Sequence, residues 1–227
     1  RLLPTLSELA ESKQWRVRQS AVEIVPALLG CTQRPETRLE ISRLCIRLME
    51  DMVDAVRKTA AECLCMGGST LGSHGDDAGF DWINSIVIPC IRQCAGHRSA
   101  KQRLLSLKMI ASVLSDGSWQ SRGKTYTVPD ESRRSGAPVR ELAAIAVSLT
   151  QDRIANVRLN VGRVLFEILH VFEDADLSFI KEVLTEQLNS EGERGGDSDV
   201  IFFARKCVRR AEGLLEERGH EKPTSLS

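Results

Sequence analysis

Residues 13–21 read KQWRVRQSA, and this phrase returns as DMVDAVRKTAA at residues 51–61 and as QDRIANVRLNV at residues 151–161. The arginine of its Val-Arg pair recurs after 39 residues and then after a further 101. The longer interval leaves room for one divergent copy and an insertion. Repeats of about 40 residues are typical of stacked helical hairpins. The phrase therefore predicts an all-α fold, an α-solenoid that binds other molecules rather than transforming them.

Apolar side chains at three- and four-residue spacing divide residues 1–217 into about five helical hairpins. The hairpins are expected at residues 2–30, 36–66, 80–114, 139–172 and 176–217. The segments 67–79 and 117–138 are rich in Gly and Ser, and we expect them to be flexible loops. Residues 218–227 have little to bury and are expected to form a disordered tail.

Each copy of the phrase falls at the turn between the two helices of a hairpin. Ser12, Asp51 and Asp152 each lie five residues before the valine, where a side-chain oxygen can cap the second helix. The arginine that follows the valine can pair with the turn aspartate of an adjacent copy. We expect such pairs to form a ladder that holds neighbouring repeats together. The predicted ladder residues are Arg18, Asp51, Arg57, Asp152 and Arg158.

The overall charge is balanced, with 31 basic and 31 acidic residues, which argues against nucleic acid or an anionic membrane as the main partner. No run of 18 apolar residues indicates a membrane span. The seven cysteines lie mostly in apolar helical patterns. This usage indicates buried free thiols in a reducing compartment, the cytoplasm or the nucleus.

No pattern in the chain predicts catalysis, a metal site or a cofactor. Cys63 and Cys65 are separated by one residue rather than the two to four of zinc sites, and no histidine stands at zinc-finger spacing. Cys90 and Cys94 fit a buried apolar helix face better than a ligand pair. Neither a phosphate-binding glycine loop nor a Gly-x-Ser-x-Gly motif occurs. We therefore expect a protein that is not an enzyme.

Two prolines add a second mark of repeat register. Pro4 lies eight residues before Ser12, and Pro89 lies eight residues before His97, the equivalent turn of the divergent third copy. Together with the Val-Arg pairs, these positions are typical of HEAT repeats. In the fifth copy the valine is Val200 and Ile201 stands in place of the arginine.

The sequences of two regions resemble one particular family more closely than a generic HEAT repeat would. Residues 2–29 contain LLP, ELAE, WRVR and EIVP, and residues 154–161 read IANVRLNV. In the same order, these stretches resemble the last five repeats of the scaffold (A) subunit of protein phosphatase 2A. A regulatory subunit of protein phosphatase 4 shares related repeats. Because a helical pattern is already under way at Arg1, we expect the chain to be a segment of a longer protein.

The resemblance implies that the turns within the repeats hold a serine/threonine phosphatase catalytic subunit. A third, regulatory subunit would bind the repeats expected to precede Arg1. Asp54 replaces the tyrosine that the family commonly has, and the tyrosine of the third copy is also missing. By position, the partner-binding residues are Trp15, Arg16, Asp54, Arg98, Lys101, Ile154 and Asn156.

Two alternatives remain open. Trp15 has little structural reason to occupy an exposed turn, so it either contacts a partner or folds back on the preceding turn. A HEAT-repeat adaptor for transport or nucleic-acid complexes is the second possible function. That adaptor would need a basic stripe, for which Arg133 and Arg134 are the best support.

Overall fold

The computed structural model describes residues 2–72, 77–116, 137–193 and 195–220, and within these ranges every regular element is a helix. The α-helices are α1 (Leu2–Ala10), α2 (Trp15–Glu23), α3 (Val25–Cys31), α4 (Pro35–Leu48), α5 (Asp54–Gly72), α6 (Ala78–Trp82), α7 (Ile88–Ala95), α8 (Ala100–Ser115), α9 (Ala137–Ser148), α10 (Ala155–Ile168), α11 (Asp174–Glu193) and α12 (Ser198–His220). A π-helical turn, Ile83–Val87, joins α6 to α7, and 3₁₀ turns, Leu149–Gln151 and Leu169–Val171, follow α9 and α10. The predicted fold class, an all-α solenoid of stacked helical hairpins, is confirmed.

The chain forms two compact units, which divide between Gln93 and Cys94. In the first unit, α1 packs on α2 and α4, and α5 packs on α2, α3, α4 and α6. In the second unit, α10 packs on α8 and α12, and α11 packs on α9 and α12. Fully buried leucine, isoleucine, valine and alanine side chains fill both cores, as expected of a chain that is only 4% aromatic. None of the helices described is long and apolar enough to span a bilayer.

The prediction of a loop at residues 67–79 is wrong for residues 67–72, which belong to α5, and for residues 78–79, which begin α6. Helix α5 continues to Gly72 because its glycines allow α6 to pack closely against it. A Cβ atom on Gly67 would lie 2.5 Å from Nε1 of Trp82, and one on Gly79 would lie 2.3 Å from the carbonyl oxygen of Gly68. The Trp82 Nε1–H also donates a hydrogen bond to the Leu64 carbonyl at 2.8 Å. Tertiary packing therefore outweighs the low helix propensity of glycine.

Three other boundaries differ from the predictions. Helix α9 includes residues 137 and 138 of the expected loop because proline is compatible with the first turn of a helix. Helix α12 continues to His220, past the expected start of the tail, and Arg218 donates a 2.7 Å hydrogen bond to the Phe172 carbonyl. Residues 17–30 form two helices because Pro26 lacks the N–H that a continuous helix would use. The remaining positions of the predicted loops and tail, 73–76, 117–136 and 221–227, lie outside the described residues.

Candidate protein-docking turns

Four turns between helices share one hydrogen-bonding pattern. In each, the amide of the turn residue donates to the carbonyl three residues earlier, and its side chain accepts from the amide two residues later. These second bonds are 3.2, 2.8, 3.0 and 2.8 Å long, in chain order. The turn residues are Ser12, Asp51, His97 and Asp152. The bonded amides belong to Gln14, Val53, Ser99 and Ile154, the residues just before each following helix, so the pattern orders the chain as it enters the helix.

An arginine closes each of these turns from six residues downstream. One terminal nitrogen of its guanidinium donates to the carbonyl of the turn residue at 2.8, 2.7, 2.9 and 2.7 Å, in chain order. The arginines are Arg18, Arg57, Arg103 and Arg158. In three of the four, the same nitrogen also bonds the next carbonyl along the turn. Each guanidinium therefore stabilises its own turn, whether or not it also contacts another hairpin.

Arg18 and Arg103 also bind the turn aspartate of the following hairpin in the same unit. Arg18 donates to both carboxylate oxygens of Asp51, at 2.6 and 2.8 Å. Arg103 forms the same two-pronged contact with Asp152, with its Nη2 nitrogen 2.9 Å from Oδ1. The side chains of this second pair are only 8% and 6% exposed. Two parallel N–H···O bonds fix direction as well as distance, so these pairs set the register of neighbouring turns.

Arg57 and Arg158 find other carboxylates. Arg57 pairs with Asp54, at the first position of its own following helix, at 2.9 Å. Arg158 binds Glu191 through two nitrogens, one of them 3.3 Å from Oε2. Of the predicted ladder residues, Arg18 therefore pairs with Asp51. Asp152 pairs with Arg103, and Arg57 pairs within its own turn. Sequence reasoning missed Arg103 and Glu191.

The charges around these turns favour ionised aspartates. Hydrogen bonding from Arg18, which outweighs the effect of burial, lowers the pKa of Asp51, and the Val53 amide adds to this. Burial of Asp152 disfavours its charge, but hydrogen bonds from Arg103 and the Ile154 amide hold its pKa below the usual range. Both carboxylates are therefore ionised at neutral pH, which makes their hydrogen bonds to the guanidinium groups charge-assisted.

In the first unit, the turns at Ser12 and Asp51 expose the predicted partner residues. Trp15 is half-buried at the start of α2, and the Arg16 guanidinium lies 4.5 Å from the centre of its indole ring. Asp54 is exposed and pairs with Arg57 and Lys58. Met52, which sequence reasoning missed, is 95% exposed. The position of Met52 directly after the turn residue Asp51 could have been noticed in the sequence. Together, the side chains of Trp15, Arg16, Met52 and Asp54 offer apolar and charged contacts to a partner.

In the second unit, the turns at His97 and Asp152 also expose their predicted residues. Arg98, Lys101 and Asn156 are exposed, and Ile154 is 40% exposed. The side chain of Asn156 accepts a hydrogen bond from Asn160 at 3.1 Å. Arg98 also supplies a carbonyl to Arg103, so its backbone is held while its side chain faces solvent. Counted from their turn residues, Arg98 corresponds to Met52, and Lys101 and Asn156 correspond to Arg16. Ile154 corresponds to Gln14 and Val53, which were not predicted to bind a partner.

No metal centre emerges from the described residues, and six of the seven cysteine thiols are inaccessible. No group of three His, Cys, Asp or Glu side chains in that part of the chain could hold a metal ion. All seven cysteines are free, and six are buried, whereas Cys31 is exposed, which differs from the expectation for that residue. Burial raises the pKa of Cys63 to about 11 and that of Cys207 to about 12. These thiols are therefore protonated and unreactive at neutral pH.

Comparison with known proteins does not name a family. No protein-family model matches the chain, and no curated protein matches it. Among solved structures, a crystal structure of an engineered protein is 14% identical, covers 94% of this chain and 97% of its own, and has a TM-score of 0.36. A designed armadillo repeat protein is 14% identical, with 91% and 98% covered and a TM-score of 0.33. The fold assignment therefore rests on the helix pairs described above.

Proposed function

We propose that the chain is a non-catalytic scaffold that docks the catalytic subunit of a serine/threonine phosphatase through the turns within its repeats. Helical-repeat proteins are built to present extended binding surfaces, which supports a role in protein interaction. The resemblance of residues 2–29 and 154–161 to the phosphatase 2A scaffold supports this particular partner. The scaffold contributes placement, because it would hold the phosphatase in fixed geometry beside whatever the preceding repeats bind.

The observation that carries the proposal is the Trp15–Arg16 pair. The Trp15 ring remains partly accessible, the Arg16 guanidinium covers one face of it, and the Arg18–Asp51 contact fixes the turn beneath. Tryptophan and arginine are the side chains most enriched among residues that dominate binding energy. A turn that is already ordered loses little entropy when a partner binds it.

Calorimetry with a purified type-2A phosphatase catalytic subunit tests the proposal. We expect submicromolar binding by the 227-residue chain, weakened at least about tenfold, or ~1.4 kcal/mol, by Trp15→Ala. Phe179→Ala is the matched control, because Phe179 is an exposed aromatic on α11 and lies outside the turns. Binding that survives both substitutions would discard the site and keep the partner. No binding at tens of micromolar would remove the phosphatase from the proposal.

The alternative function, an adaptor for transport or nucleic-acid complexes, depends on a basic surface. Arg133 and Arg134, on which the sequence argument relied, lie outside the described residues. Electrophoretic mobility shifts with RNA and DNA at low and moderate salt address this alternative directly. Binding that falls steeply with salt would favour it over the phosphatase scaffold.

A further inference from the structure

Three of the six phenylalanines of this aromatic-poor chain lie on the second unit, two in ring contact and the third joined to them through a shared lysine. Phe166 lies on α10, and Phe202 and Phe203 lie on α12. The rings of Phe202 and Phe203 are 5.3 Å apart and nearly perpendicular, at 86°. Phe202 is 59% exposed, and the other two are half-buried. An exposed aromatic cluster is unusual where apolar residues otherwise fill a core, and it indicates a binding surface.

Two cations are held against these rings. The Arg163 guanidinium lies 4.8 Å from the centre of the Phe203 ring. The Lys206 ammonium lies 4.3 Å from the centre of the Phe166 ring and 5.9 Å from that of Phe203. Such distances are those of cation–π attraction, which restrains long side chains that would otherwise sample many rotamers. We name these five residues the aromatic–cationic patch: Arg163, Phe166, Phe202, Phe203 and Lys206.

A glycine brings the two helices of the patch together. A Cβ atom on Gly162 would lie 3.1 Å from the Cβ of Phe203 and 3.3 Å from its carbonyl carbon. A Cβ atom at position 162 would be in tight contact with α12, which would have to give way by a few tenths of an ångström. The close approach sets the Phe203 ring beside Arg163, so the patch is built by the packing of α10 and α12.

The patch is positively charged. Within the described residues, neither Arg163 nor Lys206 forms an ion pair with a carboxylate. Residues 198–210 of α12 contain four basic side chains and one acidic one, Asp199. By contrast, the arginines of the turns are all paired with carboxylates. The cations of the patch are thus available to an anion from another molecule.

We propose that the aromatic–cationic patch docks an acidic linear peptide segment of a partner protein. A carboxylate of the segment would bind Arg163 and Lys206, and a neighbouring apolar side chain would pack on the exposed Phe202 ring. The geometry favours a peptide over single-stranded nucleic acid. Bases bind by stacking on open aromatic faces, whereas the cations already cover one face each of Phe166 and Phe203. This site lies on helix faces and does not depend on phosphatase docking at the turns.

Fluorescence anisotropy with the 227-residue chain tests the inference. The probe is a short fluorescein-labelled peptide of glutamate, leucine and serine, and its control has glutamine for every glutamate. We expect the acidic peptide to bind in the micromolar range and the control at least about tenfold more weakly. The double substitution Arg163→Gln/Lys206→Gln should weaken acidic-peptide binding about tenfold or more. Phe202→Ala should weaken it less.

A matched variant separates a defined site from general charge attraction. Arg205→Gln/Arg209→Gln also removes two positive charges, both from exposed positions on α12 that are not part of the patch. We expect it to weaken binding no more than about twofold, because it leaves both cations and all three rings of the patch in place and removes only longer-range attraction. Equal losses from the two double variants would overturn the proposal, as would tighter binding of an oligothymidine of the same length. Circular dichroism of each variant verifies that the helices are retained.

Discussion

Arg103 and Arg57 occupy the same position relative to their turns, but Arg103 joins two hairpins, whereas Arg57 stabilises only its own. Arg103 closes the turn at His97 and then reaches Asp152 in the following hairpin. Arg57 closes the turn at Asp51 and then pairs with Asp54, three residues before it. The difference lies at the start of the second helix, where Asp54 offers a nearby carboxylate and the equivalent Ala100 does not. The next turn along the chain also differs, because its turn residue is His97 and offers Arg57 no carboxylate.

The two contacts also differ in their exposure to solvent. The Arg103 and Asp152 side chains are 8% and 6% exposed, whereas Asp54 is 57% exposed. Removing one member of a buried ion pair leaves an uncompensated charge in a medium of low dielectric constant. The Arg57 side chain is only 10% exposed, but it keeps the carbonyls of Asp51 and Met52 as acceptors. Removing the exposed Asp54 carboxylate should therefore have a small effect. Stability measurements on matched variants can therefore test the comparison.

Arg103→Met should have the largest effect. Methionine keeps most of the side-chain length but leaves the buried Asp152 carboxylate and two turn carbonyls without their partner. We expect a loss of about 3 kcal/mol in the free energy of unfolding, measured by urea denaturation. Arg98→Met, on an exposed side chain of the same turn, should change it by less than about 0.5 kcal/mol. Similar values for the two variants would contradict a structural role for the Arg103 contact.

Asp51→Asn and Asp54→Asn compare the two kinds of aspartate directly. Asparagine at position 51 can still accept the Val53 amide, so the variant tests the charge that Arg18 binds. We expect a loss of about 2 kcal/mol for Asp51→Asn and of at most about 0.5 kcal/mol for Asp54→Asn. If urea denaturation showed the second loss to be as large as the first, burial would not explain the difference.

Acid should produce the smallest effect. The pKa of Asp51 is lowered in the folded chain, so this carboxylate stabilises the fold above its unfolded pKa of about 3.9. Its contribution is lost as the pH falls through the folded pKa. Between pH 6 and pH 4 the loss is about 0.3 kcal/mol for one such carboxyl. The stability of Asp51→Asn should fall less over this range, and an unchanged slope would assign the pH dependence to other groups.

The features that were predicted correctly are local in origin. The 39-residue spacing and the capping oxygens of Ser12 and Asp51 are determined by nearby residues, so the sequence alone was sufficient to place these turns. Arg103 was missed because Gln102 replaces the valine that identified the other copies. A count of six residues from His97 would have found it.

The remaining errors required knowledge of packing. Glu191 becomes the partner of Arg158 only because α11 continues to Glu193, past the end expected at residue 189. The continuation of α5 depends on Trp82 fitting over Gly67, and the aromatic–cationic patch depends on Phe203 meeting Gly162. These contacts join residues 15 to 41 positions apart, which short-range periodicity does not detect. The helix propensity of a glycine or a glutamate is a property of that residue alone, so it does not predict which distant residue will pack against it.

The exposure of Cys31 has a practical consequence for following this molecule in solution. It is the one exposed thiol of seven, and burial raises the pKa of Cys45, Cys63 and Cys207 among the others. A maleimide dye at neutral pH should therefore attach at the end of α3 without any cysteine being replaced. The chain already contains a single addressable position for fluorescence, separated from the turn at Ser12 by the length of α2 and α3, so a dye there reports on this hairpin without occupying the docking turn.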